Sequence, residues 1–201
     1  MATKDRIVKT ALELFLKKGL HQVSMQEIAS RVGISKPAIY FHFKNKDDMI
    51  IGVMDYFESR MAEWRRGYYK GDEAYKEFLE LFFSATPIFK NIETVLLNKR
   101  SRIKHSFNEF LLAAAREIPD FKQRMAETVL ETLRQNTQRS RDAQSEGLIR
   151  PDLNPATLAL MIHALVEGLS FIYEVIPEEG MEERIQEVFD LFWRLIERPP
   201  R

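Results

Sequence analysis

No cysteine occurs among the 201 residues, which excludes disulfides, thiolate nucleophiles and cysteine-based metal sites. Net charge is lacking too, since 30 Lys and Arg balance 30 Asp and Glu. Long uncharged runs are missing: the longest, Leu153 to Val166, falls short of the roughly 18 residues a membrane-spanning helix needs. The opening MATKDRIVK has no apolar core of the kind a signal peptide carries. These features predict a soluble, cytoplasmic protein with no membrane partner. The eight glycines form neither a G-x-G-x-x-G fingerprint nor a phosphate loop, and Ser170 lies outside any G-x-S-x-G turn. His21, His42, His105 and His163 are scattered, and His163 with Glu167 four residues on would supply half a zinc site at most. The expectation is a non-enzyme, with no catalytic residues, no metal and no other cofactor.

What is present can fill a core. Residues of apolar type make up 45% and aromatics 11% of the chain, which excludes disorder as the main state. Charge is unevenly placed: residues 1–48 hold nine basic against five acidic residues, and residues 49–201 hold 21 against 25. A basic first quarter precedes an acidic remainder.

Helical periodicity dominates, and nothing alternates convincingly like a strand. Ile7, Ala11 and Phe15 recur at four-residue spacing until Lys17, Lys18 and Gly19 end a first helix. Ser24-Met25-Gln26-Glu27 is a capping box for a second helix that stops at Gly33. Ser35 can cap a third helix, with Pro37 tolerated in its first turn, and Asn45 a fourth over about 46–66. Longer helices follow over roughly 74–89, 92–117, 120–146, 155–176 and 181–198, punctuated by proline and glycine. The prediction is an all-α protein: a three-helix unit over 1–48 and a larger helical body over 49–201.

Two short helices joined by a glycine-containing turn have the spacing of a helix-turn-helix, whose second helix enters the DNA major groove. At 100° per residue, Ile39 and Phe43 lie one turn apart and face a core with Ile34, while Pro37, Ala38 and Phe41 point the other way. An exposed Phe opposite the buried face of a short helix demands an explanation. In a groove, Phe41 and Ala38 could meet thymine methyls, and Tyr40 and His42 could reach phosphates or base edges. Lys36, Lys44 and Lys46 could neutralise phosphate charge, and the helix start at Ser35 offers backbone donors. The plainer alternative packs Phe41 and Tyr40 on a neighbouring domain and leaves the lysines as a solvated face.

The run Ser24-Met25-Gln26-Glu27-Ile28-Ala29, followed by Val32-Gly33-Ile34-Ser35-Lys36-Pro37-Ala38-Ile39-Tyr40-Phe41-His42-Phe43-Lys44-Asn45-Lys46, resembles the N-terminal domain of the TetR family of bacterial transcriptional regulators. The resemblance covers about residues 5–50. It implies that Ser35, Lys36, Pro37, Ala38, Phe41 and His42 line the groove-facing side, that Tyr40 and Lys46 clamp phosphates, and that Ser24 touches the backbone. Pro37 and Ala38 stand where family members often carry glycine, threonine or another polar residue. Specificity would then lean on methyl contacts and DNA shape.

Near the C-terminus, Ala156 to Tyr173 carries one charge, Glu167, and is apolar nearly all round, so it must be covered on more than one side. Leu158, Ile162, Leu165, Leu169 and Ile172 form one stripe, and Ala164 with Gly168 a strip of small residues. In the last helix Phe189, Phe192 and Ile196 belong to a second wide stripe with Ile185, Val188 and Leu195. Two such helices predict an oligomer surface, with an intramolecular core as the alternative. The resemblance implies a homodimer built on these helices.

The middle is rich in large apolar side chains. Phe57, Met61, Trp64, Phe78, Phe82, Phe107, Phe110, Phe121 and Met125 read first as an ordinary core; the resemblance implies that some line a small-molecule cavity, with His105, Asn108, Glu109, His163 and Glu167 as conceivable polar anchors. The combined expectation is a homodimeric regulator, a repressor that holds a palindromic double-stranded DNA operator until a small, largely apolar effector releases it. The competing readings are a helical small-molecule carrier and a sequence-nonspecific DNA-binding protein.

Overall fold

A computed structural model describes residues 3–68, 74–84, 106–176 and 179–199, without the side chains of 64–68 and 174. The described residues are all-α. In chain order the helices are α1 (Thr3–Lys18), α2 (Met25–Val32), α3 (Lys36–His42), α4 (Lys46–Tyr68), α5 (Tyr75–Ser84), α6 (Phe107–Glu117), α7 (Pro119–Ser145), α8 (Pro155–Val175) and α9 (Met181–Ile196). One isolated antiparallel bridge joins Ile149 to Glu197. The chain divides into two compact units, the first made of Met1–Trp64 and Ile92–Glu127, the second of Arg65–Asn91 and Thr128–Arg201. The helix-turn-helix segment thus shares a unit with most of α4, with α6 and with the first turns of α7.

In the first unit α1 packs on α2, and α2 on α3. Ile7, Leu12, Leu16, Ile28 and Ile39 are fully buried there, as their helical spacing requires. Ser24 caps α2 by accepting from the Glu27 backbone N–H at 3.1 Å. The Glu27 carboxylate turns instead to the Lys18 ammonium, so only half of the expected box is used. Gly33 ends α2 at φ +78°, and its N–H donates to the Ala29 carbonyl at 3.0 Å. A Cβ at Gly33 would meet nothing within 4 Å; the turn needs glycine for its φ alone. Asn45 caps α4, its Oδ1 accepting from Asp48 N–H at 2.8 Å while the Asp48 carboxylate accepts from Lys44 N–H at 2.9 Å.

One boundary departs from the periodicity. The apolar pattern predicts a single helix over 92–117, yet α6 begins at Phe107 behind a complete capping box of Ser106 and Glu109. Ser106-Phe107-Asn108-Glu109 is the same S-x-x-E signal that starts α2; apolar periodicity continues across it and hides it. Residues 92–105 lie outside the described residues.

In the second unit α5 packs on α9, with the Phe83 ring 5.6 Å from both Phe189 and Phe192. The entrance to α8 is fastened from two sides. Arg150 N–H donates to the Ile196 carbonyl at 2.9 Å and Arg198 N–H to the Leu148 carbonyl at 3.1 Å, while Gln144 Nε2 donates to the Arg150 and Leu153 carbonyls. Asn154 then caps α8, with Pro155 in its first turn. Pro155–Tyr173 is long and apolar enough to cross a membrane by length and composition, because its single charge interrupts an otherwise apolar run; a third of it is buried within this chain.

Candidate nucleic-acid interface

The third helix is short and held at both ends. Ser35 Oγ accepts from Ala38 N–H at 3.3 Å, and Phe43 N–H donates to the Ile39 carbonyl at 3.0 Å. Ile39 and Phe43 are buried, as the 100° rotation requires, and Ile34 is half-buried. On the other side Phe41 is 86% exposed and Tyr40 43%. Neither packs on a neighbouring element to the extent the plainer reading requires. Ser35, Lys36, Pro37 and Lys44 are exposed, and Ala38 and His42 are half-buried. The His42 ring stands edge-on to Phe41, centroids 5.4 Å apart, which steadies an otherwise free aromatic side chain. Ser24 is exposed, with its hydroxyl committed to the α2 cap.

Lys46 is placed differently from the other lysines. Its ammonium donates to the Leu20 carbonyl and lies 6.0 Å from the centre of the Phe15 ring. Burial lowers its pKa, against the opposing pull of Glu117 and Asp47. The side chain therefore ties the α1–α2 connection to the start of α4 rather than reaching outward. Glu117 also holds His21, carboxylate oxygen to Nε2, at 2.9 Å.

The apolar residues of the middle do not form one group. Phe57, Phe107, Phe110 and Phe121 make a continuous aromatic chain in the first unit, with centroid separations of 4.8, 5.8 and 6.1 Å, and Phe110 stacks on Phe15 at 5.7 Å. Met61 is buried and Met125 half-buried in the same unit. Phe78 and Phe82 belong to the second unit and stack on each other at 5.9 Å. The Trp64 side chain and His105 lie outside the described residues. Glu109 is occupied by the α6 cap, and no cluster of three or more metal-ligating side chains occurs among the described residues.

Of the residues predicted for a subunit interface, Leu158, Ile162, Phe189, Phe192 and Ile196 are buried in the core of the second unit. Leu165 and Leu169 are half-buried against that core, and Ile172 is exposed. Beside Ile172, the exposed apolar residues of these two helices are Leu160, Met161, Phe171 and Val175 on α8, and Leu191 and Leu195 on α9. Leu160, Ala164, Gly168, Phe171 and Val175 follow one another at helical spacing. A methyl group added at Gly168 would meet nothing within 4 Å, so the small-residue strip lies open on this second stripe.

The family description "Bacterial regulatory proteins, tetR family" matches residues 7–53, the segment that carries α2, the turn and α3. The HTH-type transcriptional regulator YerO of Bacillus subtilis is 48% identical over 54 residues, 27% of this chain and 19% of YerO. The chain thus aligns with only about a fifth of that relative. SrpR of Pseudomonas putida, also an HTH-type transcriptional regulator, is 27% identical over 209 residues, covering 99% of this chain and 87% of SrpR. A crystal structure of a TetR-family transcriptional regulator from Cytophaga hutchinsonii superimposes with a TM-score of 0.78 at 20% identity, over 98% of this chain and 96% of that one. The matched segment and the exposed α3 agree: residues 7–53 match the N-terminal segment of the TetR family of bacterial regulatory proteins, and over nearly its full length the chain has the fold of the regulator from Cytophaga hutchinsonii.

Proposed function

We propose that the chain is a ligand-responsive repressor that binds a two-fold symmetric operator as a homodimer. The observation that carries the reading is Phe41, an aromatic side chain 86% exposed on a seven-residue helix capped at both ends. Burial of that ring against thymine methyls would recover apolar area left uncovered among the described residues. Lys36 and Lys44 flank it for phosphate contact, and Tyr40 for a hydroxyl bond to the backbone.

Dimerisation is supported by the open stripe on α8 and by Leu191 and Leu195 on α9. A second copy is the occupant that fits, because one helix-turn-helix reads too few base pairs to be specific and two-fold symmetry places two of them about one DNA turn, ~34–36 Å, apart. Ligand response would act through differential affinity for two conformations, typically ~1–3 kcal/mol of coupling or about 5–150-fold in DNA affinity. The continuous helix α4, which leads directly out of α3, would carry the change.

The test is selection of bound sequences from a random DNA pool by the purified protein, with sizing of the complex. A two-fold symmetric site holding an even number of subunits is the expected result. Equal affinity for selected and random DNA would leave only nonspecific binding, and a monomer that partitions into lipid vesicles through α8 would replace the dimer reading.

A further inference from the structure

Asn136 on α7 is only 5% exposed, and its Nδ2 has no acceptor among the described residues. An unpaired buried amide donor costs about 1–3 kcal/mol, and each such group in a native protein implies a partner from outside the chain or a functional reason. Three residues on, at the spacing that makes helical neighbours, the half-buried Arg139 lays its guanidinium 4.2 Å from the centre of the Phe78 ring. No carboxylate pairs with it among the described residues. A guanidinium stacked on an aromatic face keeps its N–H edge available for planar recognition.

The adjoining polar groups satisfy one another. Ser140, wholly buried, donates its hydroxyl to the Asn136 backbone carbonyl at 2.8 Å, so the Tyr75 hydroxyl is the donor in the 2.8 Å contact between Tyr75 and Ser140. Burial raises the Tyr75 pKa, which keeps that proton in place. The groups with donors to spare are Asn136 and Arg139, one neutral and one positively charged. Beside them Phe78 and the half-buried Phe82 stack at 5.9 Å, a flat apolar wall.

We propose that α5 and α7 hold the carboxylate of an effector with a flat apolar body, Asn136 Nδ2 and the Arg139 guanidinium donating to its oxygens and the Phe78 and Phe82 rings bordering its hydrocarbon. One cation and one amide match a single negative charge; a phosphate dianion would need further donors. The inference rests on the reading of the chain as ligand-responsive, and gives the largely apolar effector an acidic group.

The experiment is calorimetric titration of the full chain, without DNA, with 2-naphthoate and with 2-naphthylmethanol, which share a ring system and differ in the charged group. Wild type should bind the acid at least about tenfold more tightly, the worth of a charge-assisted hydrogen bond. Arg139→Met, which keeps the apolar stem, should abolish that preference. Asn136→Leu should weaken the acid by a similar factor while the thermal midpoint holds or rises, because the orphaned donor is gone; a merely structural amide would lower the midpoint instead. Equal binding of acid and alcohol, no binding of either, or an Arg139→Met protein that keeps the preference would overturn the proposal. Failure to select an operator alongside retained acid binding would sink the regulator reading and leave this site standing; the reverse pattern would do the opposite.

Discussion

Phe43 lies so close to Gly52 that a Cβ on the glycine would stand 2.7 Å from the ring's Cε1. Phe43 ends the exposed helix α3, and Gly52 lies in the second turn of α4, so this contact fixes where α3 sits on α4. Gly52→Ala gains about 1 kcal/mol of helix propensity, but overpacking a buried ring costs about 1–3 kcal/mol. The expected net is a loss of up to about 2 kcal/mol, read by urea unfolding, with a larger loss of operator affinity because α3 is displaced. A variant that becomes more stable and binds DNA normally would show that the ring moves aside freely.

Phe41→Ala should separate recognition from folding. The ring is almost wholly exposed, and its ring contact among the described residues is with His42, so stability should change by less than about 0.5 kcal/mol. Discrimination between the selected site and its single-base variants should fall by about 1–3 kcal/mol at the base pairs the ring contacts. Competition binding across a set of such variants measures it. Uniform weakening on every sequence would instead make Phe41 a backbone contact.

Much of α3 is legible in the sequence because the helix is short, capped at both ends and anchored by Ile39 and Phe43, leaving one rotation for Phe41. The helix α8 offers no such purchase. It is apolar nearly all round, so periodicity defines two stripes without saying which is inside; the stripe through Leu158 and Ile162 forms the core, and the one through Leu160 and Phe171 stays open. Lys46 misleads for another reason. A long side chain can run outward or fold back on its own chain, and which of these happens depends on the Leu20 carbonyl, 26 residues away. Asn136 carries no signal at all, being one polar residue among many on a mostly polar helix.

The lysines should therefore divide into two kinds. Lys36→Ala and Lys44→Ala, both at exposed positions, should each lower the slope of log affinity against log salt by about 1 while leaving stability unchanged. Lys46→Met should lower the unfolding free energy by about 1–3 kcal/mol by leaving the Leu20 carbonyl without its donor, with little change in the salt slope. Titrations at several salt concentrations decide the matter. A slope reduced by about one unit in Lys46→Met, with intact stability, would return this lysine to the phosphate contacts.

The open stripe on α8 and α9 makes the sharpest contrast. Phe171→Glu and Leu191→Glu replace side chains 61% and 55% exposed, so a lone subunit should tolerate them within about 0.5 kcal/mol. In a dimer each would bury a carboxylate without a partner, at a cost of several kcal/mol, and sedimentation should show monomers that no longer bind the operator. Gly168→Ala should stabilise the isolated chain by about 0.5–1 kcal/mol, since nothing lies within 4 Å of the added methyl, yet weaken association where a partner helix approaches closely. Phe189→Ala and Phe192→Ala remove buried rings that pack on Phe83 and should cost about 3–5 kcal/mol of folding free energy. A dimer that survives Phe171→Glu and Leu191→Glu together would mean that subunits meet elsewhere, and that this stripe is covered by a different partner.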